Sequence, residues 1–129
     1  MKTEPGTYSY ADLERDGKAV WDGVSNPVAL KHIRSMRKGD QVLLYHTGEE
    51  KSIIGIAEVT SEPYPDPKSK DPRLVVINLK PVRRLANSVS LASVKAEKVF
   101  KDFELVRIPR LSVMPVPTVL WRFIMQMSR

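Results

Sequence analysis

The chain has 129 residues, no cysteine, and 21 Lys and Arg against 15 Asp and Glu, a formal net charge of +6. This length closes one hydrophobic core, so a single domain over residues 1–129 is expected, monomeric and with a basic surface that favours a polyanionic partner. Missing thiols exclude disulfides and thiolate chemistry and fit a reducing cytoplasm, or the nucleus if the source is eukaryotic, and neither a membrane-spanning run nor an export leader is expected.

Lys2-Thr3-Glu4-Pro5-Gly6 is an extended stretch broken by a Pro-Gly turn. Ser9 with Asp12 three residues on approximates a capping box and predicts a short helix that stops at Asp16-Gly17. The stretch Val20–Asn26 has no period and reads as an ordered loop. Asn26 is placed to cap a second helix with Pro27 in its first turn. Over Val28–Arg37 the residues Ala29, Ile33 and Met36 recur as a buried stripe, and Lys31, Arg34 and Lys38 recur nearly opposite it. That basic outer face suits phosphate contacts.

Gly39-Asp40 is a turn before two strands, Gln41–His46 and Ile53–Val59, which pair most simply as a hairpin. Val42, Leu43 and Leu44 are apolar in succession, so the first of these strands is expected to be covered on both faces. Tyr45 and His46 then project oppositely, one able to line a cavity while the other fills the core. Four prolines between Ser61 and Pro72 predict a stiff loop, whose Tyr64 either covers a pocket or anchors the loop, and whose Lys68 and Lys70 form a basic cluster with Arg73.

Arg73–Val82 is the longest predicted strand, with Val75, Ile77 and Leu79 on one face and Pro81 at an edge or bulge. Ser90 caps a helix through Leu91, Val94 and Val99. Leu111–Val116 is irregular, and Pro117-Thr118 opens a last helix packed through Leu120, Trp121 and Ile124. Strands and helices do not alternate as βαβ units, which gives an α+β fold: a small barrel-like sheet with peripheral helices.

No phosphate-binding loop, dinucleotide turn, nucleophile elbow or His-Glu-x-x-His pair occurs, so catalysis, cofactors and metals are not expected. Glu4, Asp22 and Glu58 are the carboxylates that can be considered for acid–base work on a nucleotide.

Lys2-Thr3-Glu4-Pro5, Trp21-Asp22-Gly23-Val24 with Asn26, Met36 with Gly39-Asp40, Tyr45-His46, Gly55-Ile56-Ala57-Glu58-Val59, Tyr64-Pro65-Asp66-Pro67 and Arg110-Leu111-Ser112-Val113 resemble, in order, the motifs of the EVE-domain family. The resemblance spans nearly the whole chain and implies a PUA-like distorted mixed β-barrel flanked by peripheral helices. It further implies a non-catalytic domain that receives a modified base of DNA or RNA, a methylated or hydroxymethylated cytosine or a methylated adenine, working with a separately encoded nuclease or other effector. Carried over onto this sequence, the pocket is walled by Thr3, Trp21, Gly23, Asn26, Tyr45 or His46, and Tyr64, with Leu111 and Ser112 nearby. An aromatic wall stacks on the base and amide or hydroxyl groups read its edge. Lys31, Arg34, Lys38, Lys68, Lys70 and Arg73 are the expected phosphate contacts.

The chain departs from the family pattern in carrying Ser25 where Arg is usual, in lacking a tyrosine near Pro27 and an aromatic near Leu74, and in having only Met1 before the first motif. Loss of the nucleic-acid role, leaving a protein-interaction or small-ligand module on the same fold, is the alternative expectation.

Overall fold

A computed structural model describes residues 1–129. Its order is β1 (Lys2–Thr3), α1 (Tyr10–Asp16), β2 (Ala19–Trp21), α2 (Pro27–Arg34), β3 (Gln41–His46), β4 (Ser52–Val59), β5 (Tyr64–Pro65), β6 (Val75–Ser90), α3 (Leu91–Ala96), a 3-10 turn at Lys98–Phe100, α4 (Glu104–Arg107) and α5 (Thr118–Met127). The local signals explain much of this. The Ser9 side chain accepts from the Asp12 N–H while Asp12 accepts from the Ser9 N–H, and Gly17 ends α1 at φ 74°. Asn26 caps α2 ahead of Pro27.

Helix α2 is shorter than its pattern predicts. Ser35 Oγ donates to the His32 carbonyl at 2.7 Å, and Asp40 accepts from the Arg37 N–H at 2.9 Å, so polar turns capture the chain before Arg37.

The sheet runs β1-β3-β4-β6-β2, with β1 parallel to β3 and the other pairings antiparallel, and β5 pairs with β6 beside this path. Three strand expectations change. Ala19–Trp21, whose Val20 and Trp21 open the expected loop, is a strand paired with Leu79, Asn78 and Ile77. Tyr64–Pro65, inside the proline loop, forms a two-residue strand on Val76 and Val75. Strand β6 continues to Ser90, well past Pro81, because a register shift between Ile56 and Ala57 on β4 lies beside the Ala57–Pro81 pair and absorbs the missing donor.

One contiguous core joins both faces of β3 and β4 to the helices, through Tyr10 and Leu13 of α1, Ala29 and Ile33 of α2, Ile77 and Leu79 of β6, and Ile124 of α5. No helix is long and apolar enough to cross a membrane.

Candidate functional site

The outermost strands, β1 and β2, lie at opposite ends of the strand order, yet both border one cleft of about 820 Å³. The sheet curls until its ends face each other without pairing. The cleft fills that seam. Its walls are Lys2 and Thr3, the following segment with Glu4, Thr7 and Tyr8, strand β2, the loop Asp22–Asn26, Lys68 and Ser112.

Trp21 is 9% exposed and forms a floor, while Tyr8 meets it edge-on with ring centroids 6.1 Å apart at 78°. The Tyr8 hydroxyl donates to Asp16 at 2.9 Å; burial, then this bond, pushes its pKa up to about 12 and keeps the phenol neutral. Thr3 Oγ donates to the Tyr8 carbonyl at 2.6 Å, which fixes the ring segment to β1. The Ser112 carbonyl accepts from the Lys2 N–H at 2.9 Å and holds β1 from outside.

Asn26 Oδ1 accepts from Val28 N–H at 2.9 Å and Ala29 N–H at 3.2 Å. The cap therefore occupies its acceptor, and the amide presents its NH₂ donors. Gly23 adopts φ 78° in the loop before it, a conformation that glycine takes without strain. The backbone N–H groups of Gly23, Val24, Ser25 and Asn26 donate to no backbone acceptor. Asp22 contributes a carboxylate, 3.5 Å from Lys68 Nζ. Lys2, Lys18 and Lys68 face Glu4, Asp16 and Asp22, so the cleft is close to electrically balanced.

Of the residues assigned from the resemblance, Thr3, Trp21, Gly23, Asn26 and Ser112 line this cleft. Tyr45, His46, Tyr64 and Leu111 do not, each for a local reason. Tyr45 packs in the core under the Lys2 ammonium, 5.8 Å from its ring centroid. His46 Nε2 accepts from the Tyr10 N–H at 3.0 Å. Tyr64 donates its hydroxyl to Asn78 at 2.6 Å and serves as the anchor of its loop. Leu111 is 3% exposed among core residues.

Tyr8 and Asp16 were not expected at the site; Tyr8, immediately before the Ser9 cap, is their one legible trace in the sequence. Among the basic residues, Lys68 reaches the cleft, Arg34 and Arg73 line an adjoining recess, and Lys31, Lys38 and Lys70 are exposed outside both. Glu58 pairs with Lys80 at 3.3 Å and stands apart from Glu4 and Asp22, so the three carboxylates do not line one site.

A model of the EVE domain matches residues 1–127. The chain belongs to the EVE domain family. This EVE domain is 29% identical to mouse thymocyte nuclear protein 1, an alignment that covers 99% of the chain and 72% of the mouse protein. Among solved structures it resembles a Rhodopseudomonas palustris protein determined by NMR, 38% identical with TM-score 0.94 over 99% of this chain and 90% of that one. It also resembles human THYN1 in complex with 5-methylcytosine-containing DNA, 26% identical with TM-score 0.91 over 100% of this chain and 95% of that one. The α+β, PUA-like fold expected from the motifs is the fold the EVE domain has, with the barrel left open at one seam.

Proposed function

We propose that this EVE domain binds DNA and receives a modified base, 5-methylcytosine first among the candidates, in the cleft between β1 and β2. The observation that carries the reading is the composition of the cleft: two aromatic rings, the Asp22 carboxylate beside those of Glu4 and Asp16, and a set of donors around a space of about 820 Å³. Cytosine offers an amino donor beside ring acceptors. Asp22 is suited to take the amino group, and the Asn26 amide and the unpaired N–H groups of its loop are suited to the acceptors. Thymine reverses the first part of that pattern and meets carboxylate against carbonyl. An added methyl packs against Trp21, Tyr8 or Val24. The DNA complex of human THYN1 supports the same reading from a relative.

Fluorescence titration with short single-stranded DNAs differing only in one 5-methylcytosine, cytosine or thymine is the test. Affinity is expected to fall in that order, and Tyr8→Ala is expected to weaken binding about tenfold or more, since base–aromatic stacking is worth ~1–3 kcal/mol. Trp21→Ala is the poorer probe, because removing a buried core indole costs about 3–5 kcal/mol of stability. Equal affinity for all three oligonucleotides sinks the reading.

A further inference from the structure

The cleft that would hold the base has nearly balanced charge, whereas the chain as a whole carries +6. Its phosphate-binding capacity must therefore lie elsewhere. Next to the cleft is a second recess of about 300 Å³, and Ser25 borders both. Pro27, Leu30 and Leu74 give it apolar surface, Arg34 and Arg73 supply its cations, and Asp71 adds one carboxylate to its wall.

Both guanidiniums are exposed, and each is tied to its neighbours by hydrogen bonds. Arg34 Nη2 donates to the Arg73 carbonyl at 2.6 Å, across 39 residues of sequence. Arg73 donates from Nε and Nη2 to the two oxygens of Asp71 at 3.1 and 2.9 Å, and its own N–H donates to the same carboxylate at 2.9 Å. A guanidinium has five N–H donors, so each keeps some free after these bonds. These bonds lower the rotamer entropy that remains to be lost when an anion docks. Apolar surface beside a pair of guanidiniums fits a sugar face next to a phosphodiester, and the small Ser25 side chain stands between recess and cleft without a bulky barrier.

We infer that this recess binds the sugar–phosphate next to the base held in the cleft, with Arg34 and Arg73 as the contacts to one phosphodiester. The inference rests on the base-binding reading and adds a position for the strand. It also ranks the basic residues. Arg34 and Arg73 act on the phosphate next to the modified base, while Lys31 and Lys38, exposed and away from the recess, do not.

The experiment uses a single-stranded DNA with one 5-methylcytosine, titrated against the protein at several salt concentrations. Arg34→Gln and Arg73→Gln are each expected to weaken binding about tenfold, and together to reduce the slope of log affinity against log salt by about 0.7, the share of one phosphate on a single strand, whereas Lys31→Gln and Lys38→Gln leave both unchanged. Because Arg73 also holds Asp71, Arg34→Lys serves as the gentler variant, which keeps the charge and loses the fork; it is expected to weaken binding with the salt slope retained. Replacing single phosphates by uncharged methylphosphonates locates the contact. One position beside the modified base should weaken wild-type binding, weaken Arg34→Gln less, and have no further effect once Arg34 and Arg73 are both replaced by Gln.

Binding of the oligonucleotide with wild-type affinity and slope in both arginine variants overturns the recess and leaves the base reading intact. Failure of the 5-methylcytosine and thymine oligonucleotides to differ, with the arginine effects preserved, overturns the base reading and keeps Arg34 and Arg73 as phosphate contacts. No binding of any oligonucleotide overturns both.

Discussion

His46 shows how a residue type suited to a ligand is instead engaged by the fold. Its Nε2 accepts from the Tyr10 N–H, so the ring proton sits on Nδ1 and points to Glu50 at 3.1 Å. His46→Phe strands that N–H in the interior and should lower unfolding free energy by about 1–3 kcal/mol in urea titrations, with His46→Gln recovering part of the loss. Asn26 has two separable duties. Asn26→Asp keeps the acceptor that caps α2 and removes the amide donors, so thermal stability should hold while affinity for the methylated oligonucleotide falls. Asp71 allows a pH test of the recess: the Arg73 fork lowers its pKa from the ordinary 3.8 to about 2. A depressed carboxyl pKa stabilises the folded form fully above 3.8, and that contribution is lost as pH falls toward 2. An NMR carboxyl titration should find the low midpoint, and Arg73→Gln should return it toward 3.8. Sequence patterns pointed to Trp21, Asn26 and Thr3, and left open whether Tyr64 covers a pocket or anchors its loop and which of Tyr45 and His46 fills the core; local pattern does not decide these, since their partners, Lys2, Tyr10 and Asn78, lie 43, 36 and 14 residues away in the chain.

Between elements, α1 and β4 meet at one point of very close approach. A Cβ added at Gly55 would lie 2.6 Å from Tyr10 Cε2 and 3.0 Å from the Arg83 carbonyl. Tyr10 has no room to retreat, being fully buried with its hydroxyl donating to the Ile56 carbonyl at 2.8 Å. Gly55→Ala should destabilise by about 1–3 kcal/mol or more, seen as a lowered Tm, and adding Tyr10→Leu should recover part of the loss by clearing the ring. Helices were the most legible elements because their signals are local: a cap, a stop glycine and a repeat at helical spacing lie within the same few residues. Strands β1, β2 and β5 have two or three residues each and no period to detect; they exist because a neighbour offers a ladder. The length of β6 was hidden for the opposite reason, since Pro81 signals an ending that a shift in the partner strand compensates.

At the scale of the molecule, cleft and hub differ in how firmly they are held. Strands β4 and β6 share the longest ladder and pair on both sides, whereas each end of the sheet is a strand of two or three residues paired on one side only. Backbone opening should therefore be cheapest where β1 and β2 face each other. Amide deuterium uptake is expected to be fast at Lys2, Thr3 and Ala19–Trp21 and slowest in Ile56–Val59. A guest lodged across the seam would bridge two margins that the fold leaves unjoined. It should slow exchange on both margins together and leave the interior unaltered, so that the occupied protein behaves as a closed ring where the empty one is an arc.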